Sequence, residues 1–252
     1  MANDGEGILQ PGAIALVTGA SSGIGRATAE LLATRGARVI CLGRNRARLA
    51  EVVERLGDRG YALELDITDA AACAGLLERL PAALRAIDIL VNNAGHDLGG
   101  RRRFDQGEVE EWASIMDANV TGMIRVTHAV VPGMLARGRG HIVNLGSVAG
   151  LQVYRDGSIY HASKFAVHAL TEGLRKDYAD TDLRVTEILP GLTRTGFAAA
   201  RFHGDAAKGA AYYDQFAATI EPVDIARTIL FALDQPPQVT IAQLVVMPTR
   251  QE

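Results

Sequence analysis

The stretch that most constrains this chain is Thr18-Gly19-Ala20-Ser21-Ser22-Gly23-Ile24-Gly25. An apolar run, Ala13-Ile14-Ala15-Leu16-Val17, leads into it, and a helical pattern, Arg26-Ala27-Thr28-Ala29-Glu30-Leu31-Leu32-Ala33, leads out. Strand, glycine-rich turn and helix, in that order, form the setting in which such a turn holds a dinucleotide. Glycines let the backbone turn sharply and let a pyrophosphate come close. The helix start offers unpaired N–H groups with partial positive charge. On its own the pattern also fits a tight turn that binds nothing, so the rest of the chain has to discriminate.

The strand–helix alternation continues to the end. Further strands are expected at 38–42, 61–66, 87–92, 141–145, 183–189 and 244–246. Helices are expected at about 46–56, from Thr68 or Asp69 to about Leu80, at about 108–137 with a kink at Pro132, at 158–179, and after Glu221-Pro222. Strands this apolar, separated by helices, imply a parallel sheet covered on both faces. The fold class is therefore α/β: a single doubly wound Rossmann domain with a mostly parallel seven-stranded sheet. With 252 residues, 48% of them hydrophobic, the chain can bury one sizeable core. Residues 1–11 are expected to be a disordered lead, 12–252 the domain, and about 192–220 an irregular substrate lid.

Charge and composition exclude several classes. A net charge of −3 argues against a nucleic-acid surface. No signal or membrane-spanning pattern is expected, and Cys41 and Cys73, two isolated cysteines in apolar elements, suit a reducing cytoplasm. The histidines show no metal-ligand spacing, so no metal is expected.

The nucleotide can be read one step further. An NAD site places an acid at the end of the second strand, about 20 residues past the first glycine. Here that strand ends Leu42-Gly43-Arg44-Asn45-Arg46, with no acid. A guanidinium at Arg44 suits a 2′-phosphate, and a carboxylate would repel it. NADP is therefore favoured over NAD, and Ser21 can add a hydroxyl contact. Farther on, Tyr160 and Lys164 stand at i and i+4 on one helical face. A nearby ammonium can stabilise a phenolate, and Ser147, at a strand end, can hold an oxygen beside the tyrosine.

With these residues assembled, the chain resembles the short-chain dehydrogenase/reductase family. The matching positions are Thr18-Gly19-x-x-x-Gly23-x-Gly25, Asp66-Ile67, Asn92-Asn93-Ala94-Gly95, Asn119, Ser147, Tyr160-x-x-x-Lys164 and Pro190-Gly191-x-x-x-Thr195. The three-residue gap between Gly19 and Gly23 itself departs from Gly-x-Gly-x-x-Gly in the direction of this family. The resemblance implies that Tyr160 is the general acid or base, that Ser147 binds the reacting oxygen, that Lys164 binds the nicotinamide ribose and lowers the pKa of Tyr160, and that Asn119 anchors a relay water. It implies cofactor contacts from Gly19, Ser21, Ser22, Gly23, Ile24, Gly25, Arg44, Asp66, Ile67, Asn93, Ala94, Gly95, Tyr160, Lys164, Ile188, Pro190, Gly191, Thr193 and Thr195.

Within the family, Phe197, Arg201-Phe202, Gly204-Asp205, Lys208, Tyr213, Leu244 and Met247-Pro248 resemble the NADP-dependent 3-hydroxy acid dehydrogenases, with sulfoacetaldehyde reductases as near relatives. That implies a small, anionic substrate. Arg101, Arg102, Arg103, Arg155, Arg194, Arg201 and His203 are the cations on loops facing it. Arg155 is the first choice for a clamp, and Arg201 and His96 are further substrate candidates. Alternatives are an NADPH-dependent reductase of a larger neutral ketone or aldehyde, and a non-catalytic NADP(H)-sensing regulator. The family also implies a homotetramer.

Overall fold

In the computed structural model, which describes residues 7–250, seven apolar segments pair into one parallel sheet in the order β3-β2-β1-β4-β5-β6-β7. The elements follow in chain order as β1 (Ile14–Thr18), α1 (Gly23–Thr34), β2 (Arg38–Gly43), α2 (Arg46–Leu56), β3 (Gly60–Glu64), α3 (Ala70–Ala74) and β4 (Ile89–Asn92). Then come α4 (Val109–Met116), a π-helical turn Asp117–Gly122, α5 (Met123–Ala136), β5 (Gly140–Leu145), α6 (Ser158–Asp177) and β6 (Leu183–Pro190). The chain closes with α7 (Phe197–Arg201), α8 (Ala206–Tyr213), α9 (Pro222–Leu233) and β7 (Gln243–Val246). β1, β4 and β5 are buried along their whole length, as strands covered on both faces must be. One apolar cluster lies between the sheet and α1 and α9, and a second lies against α5 on the other face.

The strand order reverses direction between β1 and β4, and a crevice opens there above the strand ends, where doubly wound folds bind ligands. A ladder of buried amides holds its floor. Asn92 Nδ2 donates to Thr127 Oγ1 and Asn144 Oδ1, both at 2.9 Å, and Asn144 Nδ2 donates to Thr171 Oγ1 at 2.9 Å.

Four expectations need correction. The lead is not disordered where it is described: Ile8 and Leu9 are buried in the α1–α9 cluster, because two apolar residues there cover the end of that layer. Residues 1–6 lie outside the described part. The helix expected to reach Leu80 stops at Ala74. Gly75 ends it, and turns carry the buried Leu76 and Leu80. The long helix is widened at Asp117–Gly122 and not broken at Pro132, which sits inside a continuous α5. Finally, the lid contains two short helices, α7 and α8, and is not simply irregular. It is tied down by a parallel bridge between Thr193 and Ile220 and by Tyr213, whose hydroxyl accepts from Thr195 N and donates to Thr195 O, each at 3.2 Å.

Candidate active site

The glycine turn is shaped for close approach. Gly19 and Gly23 adopt φ of +66° and +55°, a region costly for side chains with a Cβ. Gly25 is needed for packing, since a Cβ there would come within 2.5 Å of Gly19 O and 2.4 Å of Asn93 Nδ2. Asn93 braces the turn: its Nδ2 donates to Thr18 O at 2.9 Å, and its backbone N–H donates to Thr18 Oγ1. Ser22, the N-cap of α1, makes no side-chain cap, and no acid stands in the first turn. The helix start therefore keeps its donors and its partial charge for an anion.

From this turn a cleft of about 1310 Å³ runs along the strand ends to the lid. Ser21, Ile24, Arg44, Asp66, Ile67, Asn93, Ala94, Gly95, Pro190, Gly191, Thr193 and Thr195 line it, as do Ser147, Tyr160 and Lys164. Gly19, Ser22 and Gly23 complete the wall. Gly25, Asn119 and Ile188 lie behind it. Arg44 is largely exposed and faces Asp66 Oδ2 at 3.7 Å. Asp66 loses some solvation, but hydrogen bonds from Thr68 and the charge of Arg44 hold its carboxyl below the usual carboxylate range. The cradle fits a dinucleotide carrying a 2′-phosphate: backbone donors stand at α1, and an arginine rather than an acid follows the end of β2, its charge partly met by Asp66 at the end of the neighbouring strand.

The reactive end is built by β5 and α6. Ser147 Oγ accepts from Ala149 N at 3.1 Å and is hydrogen-bonded to the Tyr160 hydroxyl. Burial lifts the Tyr160 phenol well above its ordinary value, more than the Ser147 hydrogen bond and the Arg201 charge pull it down. In the free protein the group is thus a neutral acid with its proton in place. The downward shift expected from Lys164 does not prevail. Lys164 is buried, donates from Nζ to Leu145 O at 2.8 Å, and lies 5.8 Å from the centre of the Tyr160 ring. Burial lowers its own pKa to about 8, with Glu187 opposing.

Asn119 sits in the π-helical turn. Its Oδ1 accepts from His96 N at 2.8 Å, and its Nδ2 donates to His96 O and Ser163 Oγ. The side chain therefore clamps the loop after β4 onto the helices. His96 accepts from Leu98 N on Nδ1 and is bonded to the Ser114 backbone, while burial and Arg44 lower its pKa. It is a neutral, engaged ring at the cleft edge.

The arginines separate sharply. Arg155 is 84% exposed, leans toward Asp156 and does not line the cleft, so the first choice for a clamp is not brought to the site. Arg201, on α7, is 6% exposed, with Nη2 2.8 Å from Asp97 Oδ2. Its Nε and Nη1 are buried without a hydrogen bond of good geometry. Tyr212 stands 4.7 Å from the guanidinium, and Phe197 stands 5.9 Å from it while packing on Tyr160 at 5.7 Å. Burial raises the Asp97 carboxyl despite Arg201, whereas Asp97 and the tyrosines outweigh burial and hold Arg201 charged. Arg101 lies 4.0 Å over the Tyr154 ring at the cleft wall. Asp97, Tyr154 and Tyr212 carry no motif, and the sequence does not single them out; their adjacency in the chain to His96, the Ser147 loop and Tyr213 is the one signal that marks them.

A neutral phenol, a hydroxyl to hold an oxygen and a buried ammonium, gathered where such a sheet receives dinucleotides, make a site for moving hydrogen between alcohol and carbonyl. The family model described as short chain dehydrogenase matches residues 13–206, and the chain belongs to that family. It is 40% identical over 239 residues to the NADP-dependent 3-hydroxy acid dehydrogenase YdfG of Shigella flexneri, covering 94% of this chain and 96% of that protein. A probable NADP-dependent dehydrogenase of Haemophilus influenzae is 39% identical, covering 94% of each. Among solved structures, the closed form of serine dehydrogenase complexed with NADP+ superposes with a TM-score of 0.91 at 40% identity, over 95% of this chain and 96% of that one. Among the described residues no helix is long and apolar enough to cross a membrane, and no three His, Cys, Asp or Glu residues group as a metal site.

Proposed function

We propose that the protein is an NADP-dependent oxidoreductase interconverting a small 3-hydroxy acid and its semialdehyde. The cofactor supplies the hydride. The chain's residues do the rest. The turn at Gly19–Gly25 and the start of α1 hold the pyrophosphate, and Arg44 binds the 2′-phosphate. Lys164 holds the nicotinamide ribose. Ser147 positions the reacting oxygen, and Tyr160 delivers its proton during reduction and takes one back during oxidation.

The anionic substrate rests on one observation: two guanidinium nitrogens of buried Arg201, Nε and Nη1, make no hydrogen bond of good geometry, with only the Tyr212 hydroxyl near them. Asp97 meets the guanidinium at Nη2 and leaves Nε and Nη1, in the chamber shared with Tyr160, as donors to a carboxylate. Buried donors of this kind are costly unless a ligand completes them. YdfG is named for the same substrate class. A sulfonate offers the same oxygen geometry, so sulfoacetaldehyde belongs in the same screen. Exposed Val109, Ile124 and Phe165 on α4, α5 and α6, with Phe231 on α9, Val245 in β7 and Met247 just after it, support self-association, for which light scattering at tetramer mass is the check.

The test is a kinetic screen with NADPH. Malonic semialdehyde or sulfoacetaldehyde should exceed neutral aldehydes of equal length in kcat/KM. The double variant Asp97→Asn/Arg201→Met, which leaves no orphaned carboxylate, should lose about 10- to 100-fold on the anions and little on the neutral substrates. Neutral ketones turning over better than either anion would favour the larger-substrate alternative and remove Arg201 from substrate binding.

A further inference from the structure

Behind the catalytic lysine lies an acid that the mechanism above does not use. Glu187, on β6, is 2% exposed in its side chain. Its Oε2 is held by His168 Nδ1 at 2.7 Å and by Gln243 Nε2 at 3.2 Å. Its Oε1 has no hydrogen-bond partner. That free oxygen presses on Gly146, where even a Cβ would come within 2.4 Å of it. Lys164 Nζ donates to Leu145 O, so ammonium and carboxylate flank the same Leu145–Gly146 peptide, one residue before Ser147. His168 is one helical turn beyond Lys164 on α6.

We infer that Glu187, oriented by His168 and Gln243, is a positioning residue that keeps Lys164 charged in its buried site. An isolated buried carboxylate is expensive, and an isolated buried ammonium sheds its proton. Placed on either side of one peptide, each reduces the cost of the other. Around the pair, α6 contributes Tyr160, Lys164 and His168, with Glu172 one turn beyond; β6 contributes Glu187; β7 contributes neutral Gln243; β5 contributes only backbone and Gly146. Glu187 is thus the one carboxylate on the inner side of Lys164 among the described residues, and its negative charge opposes the loss of the proton that burial favours. Glycine at 146 follows from the same arrangement, because a side chain there would displace the carboxylate. The inference rests on the proposed role of Lys164 in the reaction.

The experiment compares pH profiles of kcat/KM with NADPH for the parent, Glu187→Gln, Glu187→Asp and Lys164→Met, each checked by thermal melting with and without NADPH. In Glu187→Gln the alkaline limb should move down by about one pH unit, because the ammonium loses its counter-charge. Glu187→Asp should restore part of the shift. A folded Glu187→Gln protein with an unmoved limb overturns the inference, even if its rate falls uniformly, since uniform loss is what a packing role gives. Should Glu187→Gln not fold, the double variant His168→Gln/Glu187→Gln, which leaves no unpaired imidazole against the amide, takes its place, and an unmoved limb in that protein overturns the inference equally. Lys164→Met at parental rates would instead overturn the role of the lysine itself, a result distinct from either.

Discussion

The two ends of the cleft are made differently. At the cofactor end, backbone does most of the work: the Gly19–Gly23 turn, the uncapped start of α1 and the ends of β1 and β4, braced by Asn93. At the lid end, side chains from segments far apart in the chain meet: Asp97 after β4, Tyr154 before α6, Arg201 on α7 and Tyr212 on α8. A backbone cradle needs particular residues only where a Cβ would intrude. A side-chain chamber can be rebuilt residue by residue while the sheet stays as it is. On the proposed reading, cofactor binding thus rests on the part least free to vary, and substrate choice on the part that can be rebuilt.

Three substitutions test whether the two ends are separable. Tyr160→Phe stands between them and should have the largest effect, a loss of about 10³-fold in kcat with NADPH affinity kept. Retained turnover would mean that the phenol is not the proton donor. Arg44→Asp should move the NADP:NAD ratio of kcat/KM by about 10- to 100-fold toward NAD through lost charge-assisted bonds, with preference among substrates unchanged. An unaltered ratio would show that the 2′-phosphate lies elsewhere. Smallest is Gly25→Ala. Its methyl would run into the Gly19 carbonyl and the Asn93 amide, so about 1–3 kcal/mol of stability should be lost by denaturant titration, with the anion-to-neutral ratio intact. A change in that ratio would show the two ends to be coupled.

The same difference explains what could be read from the sequence. The glycine turn, Arg44 and the Tyr160–Lys164 spacing are local patterns, legible because turn chemistry and helical periodicity are local. Strand positions were legible for the same reason, to within a residue or two. The Asp97–Arg201 pair joins residues far apart in the chain, one after β4 and one on α7, and no periodicity marks such a pair. Sequence alone puts Arg155 ahead of Arg201, because charge on a loop says nothing about which way the side chain turns. Pro132 drew attention as a helix breaker, but a proline inside a packed helix was accommodated. The irregularity arose at Asn119, whose amide is drawn to His96 and Ser163.

That wide turn at Asp117–Gly122 has a consequence for how the protein can vary in length. A π-helical turn carries roughly one residue more than an α-turn over the same rise. Deleting a residue there would restore ordinary helix. It would also rotate α4 by about 100° relative to α5 and carry Asn119 off the loop that it clamps. Between β4 and α5, insertions and deletions are therefore best carried by the loop before Val109. The wide turn acts as a phase marker, keeping one helix in step with the next.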